Sequence, residues 1–294
     1  MTLQTAIVTS SYRGDLERCR LLCESMDRCV TGYRRHLILV EGADVALFRQ
    51  FAGPYREIVD ERDILPKWLR PFPDPLSFGR RRIWLTPKGP PLRGWHVQQL
   101  RRLAVATMLE EDVVVSVDSD VVFLRAFDMN WFHRTGAVDF FRRRGAIDQL
   151  AAPVRNEHLA WSRRAGKMLG IADPATTDDG YIATLIPWRT DTVREMKAHM
   201  EAVGGLSWMS TLAGGRALSE CTLYGRFVDE VELRPDRHAG TSLELCHMYW
   251  DGAALDAVAL ADFSRGLEPH QVAAGIQSFT GTDPALIRRA AGLA

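Results

Sequence analysis

The sequence predicts an α/β fold, in which a mostly parallel β-sheet is flanked by helices. Strand-like apolar segments alternate with amphipathic segments in the first half of the chain, the pattern of βαβ units with right-handed crossovers. The Val-rich run Asp112–Phe123 is apolar enough to be a central strand that is buried on both faces. A chain of 294 residues, 46% of them hydrophobic, is large enough to bury a substantial core.

Three strands and three helices are expected before or beside the Val-rich run. The strands are predicted at Thr5–Thr9, His36–Glu41 and Glu57–Asp60. The helices are predicted where apolar residues recur at helical spacing, at Asp15–Cys29, Val45–Phe51 and Trp95–Leu109. Ligands of open α/β sheets bind at the carboxyl ends of the strands, so the polar turn 10–14 is expected at the ligand-binding edge.

The segment from Pro66 to Arg93 interrupts this alternation. It holds seven of the fourteen prolines and seven basic residues against one acid, Asp74. Such proline density excludes long regular elements, and the segment is predicted to be a long excursion. Aromatic residues favour an ordered, packed loop: Trp68, Phe72, Phe78 and Trp84. Its charge suits phosphate groups or a merely solvated basic loop, and the sequence leaves both open.

The second half of the chain is predicted to be mixed. Strands are expected at Ala137–Phe141, Tyr181–Ile186 and Leu245–Trp250, and helices at 156–168, Asp191–Val203 and Pro284–Leu293. Ser219 is a candidate N-cap residue. Glu220 would then lie in the first helical turn, where its charge favours the helix dipole.

Two carboxylates follow the Val-rich run at positions i and i+2. In an extended backbone Asp118 and Asp120 leave the same face, whereas Ser119 points the other way. The pair could converge on one hard cation or one reacting group. In an apolar setting it has to be neutralised by a metal ion, a basic partner or a shared proton. The alternative is a solvated turn just past the strand, where Asp and Ser are common.

Composition excludes several classes of partner. The 37 basic residues balance 37 acidic ones, so no global field draws the chain to nucleic acid or to an anionic membrane, although local patches could bind phosphates. The first residues lack the pattern of a signal peptide, and no run approaches the ~18 apolar residues of a spanning helix. Together with an odd number of cysteines, five, this predicts a cytoplasmic protein without a membrane span.

Four short segments carry a resemblance to a known family: Gly94-Trp-His-Val-Gln-Gln-Leu100, Val117-Asp-Ser-Asp120, Ser219-Glu-Cys-Thr-Leu-Tyr-Gly225 and His247-Met-Tyr-Trp250. With the preceding βαβ units, they resemble the GT-A fold of nucleotide-sugar glycosyltransferases. In more detail, the chain resembles a bacterial family of uncharacterised glycosyltransferase-like proteins over most of residues 3–285. The resemblance implies a nucleotide-sugar-binding half at 1–125, with the excursion 66–93, and an acceptor-binding half at 126–294 of the same domain.

The resemblance also implies a mechanism. A Mn²⁺ or Mg²⁺ ion would bridge Asp118 and Asp120 to the diphosphate of a nucleoside diphosphate sugar, whose base and ribose would lie along Thr9–Tyr12 and near Asp60. Most polar residues of the helix 95–109 are expected on its surface, yet Gln99 or Arg102 could reach the donor. The residues expected to bind the donor are therefore Thr9, Ser10, Ser11, Tyr12, Asp60, Gln99, Arg102, Asp118 and Ser119.

Two further roles are assigned on the same basis. Glu220 is expected to act as general base towards the acceptor, or to position it; its alternative is a helix-stabilising charge. His247 is expected to complete the metal site, because two aspartates leave the ion short of protein ligands; its alternative is a core histidine. If His247 is not the ligand, the next candidates are Asp178, Asp179 and Asp251. The acceptor, a small molecule, glycan or peptide, is not specified.

Two other functional classes stay open. The Val-rich run ending in Asp-x-Asp is also similar to the nucleophile strand of haloacid-dehalogenase-like phosphatases, in which Asp118 would attack a phosphate. Against that class, this strand is not the first of its domain, and Val122 stands where Thr is common. The chain could also be an inactive GT-A-like module that binds a nucleotide without consuming a sugar donor.

Overall fold

The computed structural model of the chain describes residues 3–79, 81–172 and 176–293; Arg80 of the basic excursion lies outside these ranges. The β-strands are β1 (Thr5–Ser10), β2 (Val30–Thr31), β3 (Arg35–Val40), β4 (Arg56–Asp60), β5 (Arg70–Pro73), β6 (Arg82–Leu85), β7 (Leu92–Arg93), β8 (Val113–Ser116), β9 (Val121–Phe123), β10 (Phe127–Asp128), β11 (Val138–Phe141), β12 (Ile186–Arg189), β13 (His238–Thr241), β14 (Cys246–Tyr249) and β15 (Ala273–Ile276). The α-helices are α1 (Leu16–Cys29), α2 (Val45–Phe48), α3 (Glu61–Ile64), α4 (Gly94–Ala106), α5 (Ala152–Met168), α6 (Thr190–Gly204), α7 (Trp208–Ala213), α8 (Glu220–Phe227), α9 (Ala257–Arg265) and α10 (Pro284–Ala290).

The central sheet has five strands in the order β12-β8-β1-β3-β4. Strands β8, β1, β3 and β4 are parallel, and β12 is an antiparallel edge strand. Strands β3 and β4 lie on one side of β1, and β8 lies on its other side. This mixed α/β architecture, with helices beside a mostly parallel sheet, confirms the predicted fold class and is compatible with a Rossmann-like fold. The reversal of strand order places a crevice between the carboxyl ends of β1 and β8.

Side chains alternate along β1, and each of its faces belongs to a different part of the core. Ile7 packs in one cluster with Leu22 and Met26 of α1. On the opposite face, Val8 packs in a second cluster with Leu100 and other residues of α4. The two amphipathic helices predicted from helical spacing thus cover the two faces of the sheet.

The Val-rich run is not one strand, as the sequence predicted, but two. Strand β8 ends at Ser116, and β9 begins at Val121 in a separate sheet of order β14-β15-β9. The backbone turns between them, where Val121 N donates to Asp118 O over 3.3 Å. The aspartates consequently lie in the turn that joins the two sheets, at the carboxyl end of β8.

The predicted strand Tyr181–Ile186 is wrong in position, because β12 begins only at Ile186. Leu185 has a φ of 64°, which interrupts an extended strand. Tyr181 stacks instead on Phe140 at 5.9 Å between ring centroids, and its hydroxyl donates to Asp229 Oδ2 over 3.0 Å. The other predicted helices and strands of this half are present, with their ends moved by up to four residues.

The described residues of the Pro-rich excursion, 66–79 and 81–93, are folded, but only two of the four aromatic residues that predicted a packed loop are packed: Trp68 and Trp84 contact the core, whereas Phe72 and Phe78 are exposed. The excursion forms a small antiparallel sheet of the strands β5, β6 and β7. Its prolines Pro71 and Pro73 lie in the edge strand β5, where a missing N–H group is tolerated. Trp84 is buried and donates through Nε1 to Glu61 Oε1 over 3.2 Å, which fixes the excursion to the start of α3.

No helix within the described ranges is both long enough and apolar enough to cross a membrane.

Gly225 of α8 permits close packing between this helix and Tyr181. A Cβ atom at position 225 would lie 2.2 Å from Tyr181 Cδ1, which requires a shift of the ring or the helix. We expect Gly225→Ala to lower the free energy of unfolding in urea by about 1–3 kcal/mol, despite the better helix propensity of alanine. The control is Gly53→Ala, where nothing lies within 4 Å of the new atom. Equal stability of the two variants would contradict this packing.

Candidate functional site

The candidate site is built around the turn 117–120 at the carboxyl end of β8. Helix α4 approaches it from the first half of the chain, and the N-terminus of α8 approaches it from the second half. The described residues that converge on the turn are Asp15, Arg18, Gln98, Gln99, Arg102, Asp118, Ser119, Asp120, Glu220 and Ser278.

Arg102 links two carboxylates from different parts of the chain. Its guanidinium pairs with Asp118 through Nη2, and it donates through Nη1 to Glu220 Oε1 over 2.9 Å. Gln98, one turn earlier on α4, donates to the same Asp118 oxygen over 3.2 Å. The expectation that this face of α4 is mostly solvated is therefore wrong: the Arg102 side chain is only 11% exposed.

Glu220 starts α8, as predicted, with Ser219 as the N-cap residue whose Oγ accepts from Thr222 N over 3.2 Å. The backbone N–H of Glu220 donates to Gln99 Oε1 over 3.0 Å. Burial raises the pKa of the Glu220 carboxyl, and the neighbouring Arg102 partly opposes this. Gln99 is thus buried and holds the start of α8, rather than facing an open ligand site as the sequence suggested.

Asp120 is only partly satisfied, and the same holds for Ser11 Oγ, Gln99 Nε2 and Arg102 Nε. Its Oδ2 accepts from Ser278 N over 3.2 Å, whereas its buried Oδ1 has no hydrogen-bond partner among the described residues. Burial, and then the negative charges of Asp118 and Asp15, raises the pKa of Asp120 to about 7. The site therefore disfavours a second negative charge unless a cation accompanies it.

Asp15 and Arg18, at the start of α1, complete this side of the site, and sequence reasoning missed both. Ser119 Oγ donates to Asp15 Oδ2 over 3.4 Å, so Ser119 faces α1. Burial raises the pKa of Asp15, while Ser278 and Arg18 oppose this. Arg18 donates to Ile276 O over 2.9 Å and to Thr282 O over 2.7 Å, which holds the segment after β15 against the aspartates. The sequence signal that could have identified Asp15 and Arg18 is their position just after the turn 10–14, which was predicted at the ligand-binding edge.

The carboxyl end of β1 adjoins the turn, as expected for parallel neighbours. Ser10 and Ser11 are buried, and Tyr12 is about half exposed. Arg101 Nη1 lies 3.5 Å from Ser10 Oγ, and its guanidinium forms a buried ion pair with Glu61. The predicted binding residues Ser10, Ser11 and Tyr12 therefore lie at the crevice.

Two other predicted donor-binding residues have structural partners. Thr9 is fully buried, and its Oγ1 is 2.9 Å from His36 Nε2, so Thr9 faces the interior instead of the crevice. Burial and Arg56 lower the pKa of that histidine to about 3, which keeps it neutral. Asp60 caps α3 by accepting from Arg62 N over 2.9 Å and also pairs with the Arg62 guanidinium, which lowers the pKa of Asp60.

The structure does not bring His247, the predicted third metal ligand, to the aspartates. The His247 ring stacks on Phe263 of α9 at 4.3 Å between centroids. The preceding residue, Cys246, lies on the other face of β14; burial and the charges of Asp120 and Asp118 raise the pKa of its thiol. Because side chains alternate along a strand, His247 is directed away from the aspartates. Of the alternatives, Asp179 pairs with Arg144, and Asp178 and Asp251 are exposed.

The described part of the chain holds no group of three His, Cys, Asp or Glu side chains arranged to bind a metal ion. A cation at Asp118 and Asp120 would thus need oxygen ligands from a bound molecule or from water.

A cavity of about 380 Å³ lies at the N-terminus of α4. It is lined by Arg93, Trp95, His96, Glu157 and Arg216. Trp95 is 45% exposed and packs on Trp161 at 5.4 Å between ring centroids. Trp95 and Arg102 are seven residues apart, so they share one face of α4, which leads from this cavity to Asp118. A second cavity, of about 490 Å³ between α1 and the start of β4, does not include the aspartates in its lining.

Sequence comparison assigns the chain to a family. Residues 1–290 match a family of unknown function, DUF6492. No curated protein sequence is significantly similar to the chain. Because the match spans almost its whole length, the chain belongs to DUF6492, a family of unknown function.

Proposed function

We propose that this protein is a metal-dependent glycosyltransferase that moves a sugar from a nucleoside diphosphate sugar to an acceptor hydroxyl, and that its domain has the GT-A arrangement. The observation that carries the proposal is Asp120 Oδ1, a buried carboxylate oxygen without a partner, beside Asp118 at the reversal of strand order. Open α/β sheets bind nucleotides at this position. The sequence resemblance in the segments around Gly94, Asp118, Ser219 and His247 adds to it.

The residues at the turn fit a divalent cation. Asp118 and Asp120 supply hard oxygen donors, which suit Mn²⁺ or Mg²⁺, and two protein ligands leave positions for the diphosphate oxygens of a donor. A bound ion there would neutralise charge on the departing nucleoside diphosphate. The raised pKa of Asp120 supports this, since positive charge beside the carboxylate would offset the cost of ionising it.

Residues at the crevice would bind and orient the donor. Ser10, Ser11 and Tyr12 lie at the carboxyl end of β1, where the resemblance places the base and ribose. Arg102, now paired with Asp118 and Glu220, carries a planar guanidinium that recognises phosphate oxygens in two-pronged fashion. Gln98 donates to the Asp118 carboxylate, and Gln99 accepts from the backbone N–H of Glu220.

Glu220 is the proposed general base. In the transfer, the acceptor oxygen forms a bond to the anomeric carbon, the bond from that carbon to the diphosphate breaks, and the hydroxyl proton passes to a base. Burial raises the pKa of Glu220, which makes its carboxylate a better proton acceptor near neutral pH. The cavity at Trp95 lies at the N-terminus of α4, the helix that also carries Arg102, the partner of Glu220. Trp95 offers an aromatic surface there to an acceptor.

A panel of nucleoside diphosphate sugars tests this function. We expect one donor to release nucleoside diphosphate in the presence of Mn²⁺, and Glu220→Gln to slow this release by about 100-fold or more. Glu110→Gln, at an exposed glutamate, is the matched control and should keep full activity. Binding without release would instead indicate an inactive module. A covalent phosphate trapped on Asp118 would indicate the phosphatase class.

A further inference from the structure

The connection between β5 and β6 presents two large apolar side chains to solvent. Leu76 and Phe78 are each 92% exposed, the highest values among the large hydrophobic side chains of the described residues, and Phe72 is 49% exposed. Isolated exposed apolar residues are common, but three on one protruding hairpin form a patch that indicates a binding surface.

Hydrogen bonds among the described residues of the hairpin fix the backbone around these side chains. Asp74 Oδ1 accepts from Leu76 N over 3.0 Å, and Ser77 Oγ accepts from Arg81 N over 2.9 Å. Phe78 has a φ of 51°, an unfavourable conformation for a bulky residue. The chain therefore accepts both backbone strain and the exposure of an aromatic ring at the same position.

Positive charge lies on the same hairpin as the apolar patch, with Arg81 in the turn and with Arg70 and Lys67 at its base, where Arg70 pairs with Leu85. Lys67, Arg70 and Arg81 are exposed, and the acid of this segment, Asp74, is used in the hydrogen bond to the Leu76 backbone. Although the whole chain has no net charge, this segment thus presents a local basic surface. We define the apolar-basic tip as Phe72, Leu76 and Phe78 with the three cations Lys67, Arg70 and Arg81.

The tip lies beside the candidate site. Arg82, at the start of β6, pairs with Glu41 after the end of β3 at 3.1 Å. The charge of Arg81 reaches Tyr12, where it opposes the burial that raises the pKa of the phenol. The small sheet β5-β6-β7 therefore stands at the same edge of the molecule as the crevice between β1 and β8.

We propose that the apolar-basic tip binds the surface of an anionic lipid bilayer, with Leu76 and Phe78 inserted among the lipids and the three cations against acidic headgroups. This combination of projecting apolar side chains and flanking Lys and Arg is typical of peripheral membrane attachment. Arg and Phe are also common in protein interfaces, so a second copy of the chain is the competing occupant, which the last outcome below tests. Nucleic acid would leave Leu76 without an apolar environment.

Vesicle co-sedimentation tests the proposal with the full chain. We expect binding to vesicles of phosphatidylcholine mixed with phosphatidylglycerol to be at least about tenfold stronger than binding to phosphatidylcholine alone, and to weaken in about 0.5 M salt. Leu76→Ser with Phe78→Ser should weaken it by about tenfold or more, because each inserted side chain contributes to partitioning. The matched control is Val258→Ser with Leu206→Ser, at exposed apolar positions outside the tip, which should bind as the wild type does.

A second set of variants isolates the charges. Lys67→Glu, Arg70→Glu and Arg81→Glu together should abolish binding to the anionic vesicles. Arg163→Glu, Lys167→Glu and Arg289→Glu change the net charge equally at exposed positions of α5 and α10, and should largely preserve binding. The proposal is overturned if the wild type does not prefer anionic vesicles, or if the tip variants bind like the wild type. The proposal also fails if the wild type is a dimer and the double variant Leu76→Ser, Phe78→Ser is a monomer. The tip would then bind a second copy of the chain.

Discussion

Replacing Asp120 with Asn should stabilise the protein at pH 8, by as much as about 4 kcal/mol in the absence of divalent cations. The folded state raises the pKa of Asp120 from 3.8 to about 7. Between these values the native state keeps a proton that the unfolded chain has released, so stability falls as pH rises through this window. Asn carries no charge at any pH in this range. The Asp120→Asn variant should therefore lack the part of the stability loss that comes from ionising Asp120.

Urea unfolding at pH 5 and pH 8, with a chelator present, measures this effect. The wild type should lose stability from the lower to the higher pH, and Asp120→Asn should lose clearly less. Asp262→Asn is the control, because Asp262 is an exposed aspartate of α9. An Asp120→Asn protein that keeps the wild-type dependence on pH would show that Asp120 is not held protonated by its surroundings.

Arg102→Met should destabilise the protein by about 3–5 kcal/mol, because it leaves a buried carboxylate without its counter-charge. The Glu220 side chain is 5% exposed and that of Asp118 is 29% exposed, so Glu220 bears most of the cost. Without Arg102 the already raised pKa of Glu220 rises further. The loss should therefore be largest at high pH and shrink as the pH falls and Glu220 gains a proton.

A double-mutant cycle separates this electrostatic effect from simple loss of packing. Adding Glu220→Gln to Arg102→Met should restore part of the lost stability and remove its additional dependence on pH. Arg102→Lys keeps the positive charge but not the planar guanidinium. Its free energy of unfolding should therefore lie between those of the wild type and Arg102→Met. A loss below about 1 kcal/mol that is the same at pH 5 and pH 8 would contradict a buried ion pair.

The sequence predicted those parts of the fold that periodicity determines. The parallel strands β1, β3 and β4 and the helices α1 and α4 lie within a few residues of their expected places, because apolar spacing is a local property. The break between β8 and β9 was not predicted, since the apolar run continues through Val121 and only the pairing with β15 separates the strands. Leu185 likewise gives no sign in sequence of its positive φ.

The residues of the candidate site were predicted only in part. Asp118, Asp120, Arg102 and Glu220 do converge, because strand order brings β8 beside β1 and packing brings α4 and α8 to the same edge. The direction of a side chain depends on register and on tertiary neighbours, which a single sequence does not provide. His247 illustrates this: the strand was predicted, but its register turns the ring towards Phe263. Asp15 and Arg18 carried no motif to mark them.

Calorimetric titration of the protein with a panel of nucleoside diphosphates, with and without Mn²⁺, tests the central claim most directly. The account predicts that at least one nucleoside diphosphate binds about tenfold or more tightly with Mn²⁺ than with a chelator, the usual size of coupling between two ligands. Asp120→Asn should lose this dependence on metal, and Asp262→Asn should keep it. If no nucleoside diphosphate binds, or if binding is equally tight without a divalent cation and in Asp120→Asn, the claim of a metal-dependent nucleotide-sugar site is wrong.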